Sequence, residues 1–168
     1  MDNCKELLVK KPRGGKETAF RALILTPTII CGLLTLMTVN YAIIFFIVTV
    51  GLAVGCFFVF QNTDIEYEYL YLDKEISVDK IMGKSKRKRV ATLDVNKMEI
   101  LAPEKSYQLD SYRNRQVKTT TDYSAGGDLP DMKLYVMYYD GNQKYLLNLD
   151  EEFAKIVKGV APRKVFLD

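Results

Sequence analysis

The sequence has no His and no Trp among its 168 residues. Without His, the chain lacks both the commonest general base and the commonest metal-ligating side chain. Cysteine is scarce as well: Cys4, Cys31 and Cys56 are far apart and form no C-x-x-C pair. That spacing excludes a disulfide framework or a zinc site, and unpaired thiols fit a reducing compartment. Cys4 reads as a free thiol, because no Leu-rich apolar segment precedes it as a lipoprotein signal would require. No N-x-S/T sequon occurs.

Charge is missing from one place altogether. Ala22 to Phe60 contains no charged residue. As a single helix this run would measure about 58 Å, against about 30 Å for the hydrocarbon core of a bilayer. Two spans fit where one does not, with a tight break at Val39-Asn40-Tyr41. The expected helices cover about 22–38 and 42–60, forming a hairpin. Pro27 is tolerated in the first if a neighbouring helix packs on it. Gly32, Gly51 and Gly55 permit close helix contact, and Gly51-x-x-x-Gly55 is a literal GxxxG. A cleaved signal peptide is excluded by the polar residues ahead of the run and by its length.

The charge that is present is unevenly placed. The net charge is +3, and residues 1–21 carry six of the 24 basic residues against only three of the 21 acids. The rest of the chain is balanced. A basic N-terminal tail, 1–21, beside the first span and an uncharged central turn put the N-terminus in the cytoplasm, and two crossings return the C-terminus there.

Beyond Phe60 the periodicity changes to two. Ile65, Tyr67, Tyr69 and Tyr71 share one strand face, with Glu66 and Glu68 on the other. Leu72 to Glu75 reads as a turn, Ile76 to Met82 as a second strand, Gly83 to Lys86 as a turn, and Arg87 to Asp94 as a third strand. A short strand follows over 98–101, then a strand over Tyr107 to Lys118 and a loop over Thr119 to Asp131. Lys133 to Tyr139 and Lys144 to Leu149 flank Asp140-Gly141-Asn142, a hairpin signal. A helix over about 150–159 follows, capped by Asp150, with Phe153, Ile156, Val157 and Val160 on one stripe. The expected fold class is α+β: a transmembrane helical hairpin, then a small β-barrel or sandwich over 61–168 with a C-terminal amphipathic helix.

The C-terminal stretch YVMYYDGNQKYLLNLDEEFAKIV and the span-to-strand junction resemble a pleckstrin-homology-like (PH-like) domain. The whole chain, opening MDNCKELLVKK, is similar to a family of small two-span bacterial membrane proteins carrying such a domain in the cytoplasm. The resemblance implies a membrane-anchored module and brings no activity with it.

Several motifs invite chemistry. Gly83-Lys84-Ser85 lacks the Gly that a phosphate loop needs five positions earlier, where Val78 stands. Glu66 and Glu68, with no His or nucleophile motif nearby, read as solvated charges. Asp122, Asp128 and Asp131 miss the calcium-loop spacing. The basic cluster Lys84, Lys86, Arg87, Lys88 and Arg89 supports two readings: protection of a strand edge, or contact with anionic lipid headgroups. A nucleic-acid patch ranks below both, because the surrounding domain is neutral. The expectation is therefore a non-enzymatic binding or scaffold protein with no catalytic residue, cofactor or metal. Its expected partners are membrane lipids and a protein partner or second copy, with no small-molecule substrate and no nucleic acid. The alternative is an accessory subunit of a transporter or envelope enzyme.

Overall fold

A computed structural model describes residues 4–12 and 14–168. The chain divides into two compact units. A helical unit takes the residues from Gly14 to Ile65 with Met82–Lys86, and a β unit takes the residues up to Pro12, Glu66–Ile81 and Arg87–Asp168.

In the helical unit, α1 runs Gly15–Met37 and α2 runs Ala42–Thr63. The break falls at Thr38 to Tyr41, as the sequence predicts, but α1 starts seven residues before Ala22. Both helices are long and apolar enough to cross a membrane. Of their described residues only Cys56 is buried, while Leu23, Leu36, Ile43 and Ile47 stand exposed. Their threonines bond inward, Thr26 to the Ala22 carbonyl at 2.8 Å and Thr28 to that of Ile24 at 2.7 Å, which leaves few hydroxyls requiring water. The helices pack at two of the three glycines. Gly32 faces the Thr49 methyl, and a Cβ on Gly55 would lie 3.0 Å from Ile24 Cδ1. Gly51 meets nothing, so the GxxxG pair does not act as a unit inside this hairpin.

The β unit contains eight strands among the described residues, in two four-stranded sheets ordered β1-β2-β3-β4 and β5-β7-β8-β6. The first sheet comprises β1 (Lys5–Lys10), β2 (Ile65–Leu72), β3 (Glu75–Met82) and β4 (Lys86–Asp94). The second comprises β5 (Met98–Pro103), β6 (Thr119–Asp122), β7 (Lys133–Tyr139) and β8 (Gln143–Leu149). The tyrosine alternation holds: Tyr67, Tyr69 and Tyr71 are buried together with Ile76 and Val78. Strand β7 is buried on both faces from Leu134 to Tyr139, which accounts for its unbroken apolar run. Asp140 and Gly141 take positive φ in the β7–β8 turn, as the Asp-Gly signal requires. Helix α4 (Glu151–Val160) starts where Asp150 accepts the Phe153 N–H at 2.6 Å, and it buries Phe153, Ala154 and Val157.

Three expectations are corrected. The basic tail divides: Lys5–Lys10 is β1, paired antiparallel with β2 from Lys5↔Tyr71 to Lys10↔Glu66, so α1 and α2 are inserted between two neighbouring strands. Its Leu7 and Val9 are core residues. Tyr107 to Lys118 is not a strand. A 3-10 turn, Tyr107–Leu109, leads into the one-turn α3 (Asp110–Arg113), with Ser106 accepting the Gln108 N–H at the start. Leu109 and Tyr112 cover Ile100, Ala102, Val136 and Tyr138 on the outer face of the second sheet. The expected loop over 119–131 begins with β6, parallel to β8.

The ladders do not close into a barrel. Tyrosines bridge the sheets instead: the Tyr123 hydroxyl donates to the Val90 carbonyl at 3.2 Å, the Asp94 N–H donates to the Tyr139 hydroxyl at 3.3 Å, and the Tyr69 hydroxyl donates to the Tyr123 carbonyl at 2.7 Å.

Candidate functional site

The basic cluster is where sequence and structure differ most. Its five cations are exposed, yet they split into two chemical groups. Arg87 and Arg89 are two apart on β4 and project to the same side of the first sheet as Glu68 on β2 and Asp79 on β3. Asp79 accepts from both arginines, at 2.7 Å from Arg87 Nε and 3.0 Å from Arg89 Nε. Arg87 also pairs with Glu68. The two acids are nearly buried while the arginines remain half-exposed, so the arginine stems roof the carboxylates.

Burial by itself would raise the Asp79 carboxyl. The hydrogen bonds from Arg89 and Arg87 more than offset it and hold the group below the usual range. Glu68 goes the other way. Burial, and then the neighbouring Glu6 carboxyl, lift it above the usual range against the pull of Arg87. Glu68 is therefore not the solvated charge expected from the sequence. Asp79 was missed, although its signal was present: it alternates out of phase with Ile76 and Val78, which puts it on the face of Glu68, Arg87 and Arg89.

The lysines of the cluster behave differently. Lys84, Lys86 and Lys88 have no ion-pair partner among the described residues. Lys84 lies in the β3–β4 turn with φ 57°, next to Gly83 at φ 56°. This turn is fastened to the end of α2 within the helical unit. The Gly83 N–H donates to the Asp64 carbonyl at 2.8 Å, and Gln61 Nε2 donates to Ser85 Oγ at 3.1 Å. A side chain at Gly83 would run into Gln61, so only glycine allows so close an approach.

The same helix end holds one more cation. Arg21 Nε donates to Thr63 Oγ1 at 2.6 Å, its Nη2 donates to the Phe60 carbonyl at 3.0 Å, and its guanidinium lies 4.9 Å from the Phe60 ring centroid. A cation here satisfies carbonyls that the helix leaves open and complements its dipole. Arg21 is thus committed to the hairpin, leaving Lys84 and Lys86 as uncommitted cations beside that end. No catalytic constellation was expected in the sequence, and Asp122 serves a structural role, accepting the Ser124 N–H at 2.8 Å.

A family model described as Bacterial PH-like domain (DUF6106) matches residues 1–167. Searches of the curated proteins and of the solved structures returned no match.

Proposed function

Because the chain belongs to the bacterial PH-like domain family, we propose that it is a membrane-anchored binding module whose β3–β4 turn engages anionic lipid headgroups at the cytoplasmic face. The observation that carries this reading is the fastening of the Lys84–Lys86 turn to the last residues of α2. If α2 spans the bilayer, those lysines stand at its surface. Each is worth about 1 kcal/mol near an anionic membrane, so the pair gives a preference of roughly thirtyfold.

Pairing of β1 with β2 supports the two-crossing topology. The strand before α1 and the strand after α2 belong to one sheet, which favours a hairpin with both ends on one side of the membrane. The basic residues flanking α1 favour the cytoplasm as that side. Reporter fusions at residue 168, active only outside the cytoplasm, should stay silent.

Lipid retention tests the headgroup reading. Native mass spectrometry of the full chain in detergent, titrated with phosphatidylglycerol or phosphatidylcholine, should show preferential retention of the anionic lipid. The double variant Lys84→Gln/Lys86→Gln should lose that preference. Equal retention of the two lipids by the wild type, or an unchanged preference in the variant, refutes it. The second reading is the accessory subunit, favoured by an exposed groove on α1 formed by Ala19, Leu23, Pro27 and Ile30, which a partner helix could fill. Co-purification with a stoichiometric membrane partner would favour it.

A further inference from the structure

We propose that the outer face of the second sheet carries a separate binding site for a small organic anion with an aromatic or short acyl body. The site is a cavity of about 360 Å³ where α3 and its preceding turn meet β7 and β8. That volume is at the small end of ligand pockets. Leu109, Val136 and Tyr138 provide an apolar and aromatic lining, and Lys105, Arg113 and Lys144 provide three cations, with Glu104 in the lining and Asp128 and Asp110 paired to the first two.

The register explains why these groups converge. Lys144 is opposite Tyr138 on β7 and Thr120 on β6, so neither directly paired residue offers it a carboxylate. Its Nζ lies 5.9 Å from the centroid of the Tyr138 ring, and it has no ion-pair partner among the described residues. The Tyr138 hydroxyl likewise has no hydrogen-bond partner there, and it is a donor. Arg113 is held in place: its Nη2 donates to the Glu104 carbonyl at 3.1 Å, and its Nε is 3.4 Å from Asp110. Its Nη1 remains for a ligand. Lys105 pairs with Asp128 at 2.9 Å, but its side chain is 82% exposed, a pair that a bound anion can outcompete. Three cations around an aromatic face suit a carboxylate or phosphate attached to a flat or short apolar group. All of these residues belong to the β unit, and none of them is in the lysine turn.

Fluorine NMR on the full chain in detergent tests the proposal. The probes are 4-(trifluoromethyl)benzoate and 4-(trifluoromethyl)phenyl phosphate, with 4-(trifluoromethyl)benzyl alcohol as the neutral control. At least one anion should broaden beyond its signal in empty micelles, and the stronger binder identifies the head group. The alcohol should not broaden. Lys144→Gln should weaken binding by about tenfold, as loss of a charge-assisted contact does, and Tyr138→Phe by less. Arg113→Gln, at an exposed position, carries the test if Lys144→Gln fails to fold. Broadening of neither anion, equal broadening of the alcohol, or wild-type binding by folded Lys144→Gln or Arg113→Gln overturns the proposal.

Discussion

Replacing Asp79 with Asn keeps the shape of the side chain and removes the charge that holds two arginines. The Asp79 side chain is 7% exposed and accepts from Arg87 at 2.7 Å and Arg89 at 3.0 Å. Hydrogen bonds to a charged group contribute about 1.5–3 kcal/mol each. Both guanidinium side chains are half-exposed or slightly more, and water and salt screen their share, so the lower end applies. The amide oxygen of the substituted side chain can also still accept one bond. The expected loss is about 2 kcal/mol, or about 8 °C in Tm for a unit of this size. Near-UV circular dichroism reports on this directly, since eleven tyrosines and no Trp make up the signal and many lie in the β unit. Asp79→Asn/Arg89→Gln should cost less than the two single changes added together, because both remove one interaction. A single variant within about 0.5 kcal/mol of wild type would show that the clamp is a surface decoration and refute the reasoning. Freed from Asp79, the arginines should also strengthen retention of anionic lipid.

Other consequences are open to measurement. Glu68 is raised in the folded protein, so its contribution falls as pH rises through that raised value. Asp79 is depressed, so its contribution is lost as pH falls through its folded value. Urea midpoints across the acidic range should therefore show a weaker alkaline-side decline in Glu68→Gln and a weaker acid-side decline in Asp79→Asn, where Asp128 and Glu151 still contribute. Val9→Asp should abolish protease resistance of the β unit, since Val9 is fully buried in β1 and an unpaired charge there costs more than about 4 kcal/mol. Thr28 Oγ1 lies 3.4 Å from Cys56 Sγ, so Thr28→Cys should form a disulfide with Cys56 under oxidation in a background lacking Cys4 and Cys31. Adding Gly55→Leu should prevent that bond, because Ile24 occupies the space, whereas adding Gly51→Leu should not.

Much of the fold could be read from local pattern, and the places where reading stopped have a common cause. The helical pair was legible because a charge-free run of that length has few alternatives. The β7–β8–α4 end was legible because Asp140-Gly141 and the Asp150 cap act over a few residues. Strand β1 was not. KELLVK is too short and too basic to stand out, and its partner β2 lies beyond both helices. Thr119–Asp122 has no apolar alternation, and its strand character comes from lying parallel to β8. The 107–113 segment mixes polar residues with a single Leu109–Tyr112 pair, one helical turn that only the second sheet's outer face makes worth forming. In the basic cluster, the sequence showed that Arg87 and Arg89 share a face, but not that two acids from other strands would meet them there.

By its order of residues alone, the chain settled its partition into an apolar helical pair and a β module, and it placed the turns and the last helix. Those choices depend on hydrophobic periodicity and on backbone conformations available to neighbours in the chain. Tertiary structure decided which strand begins the first sheet, how tyrosine hydroxyls join the two sheets, and which of five adjacent cations stay uncommitted. Each of these depends on the register between distant segments. Register is set by the packing of the whole unit, where a shift of one residue would turn every side chain to the opposite face.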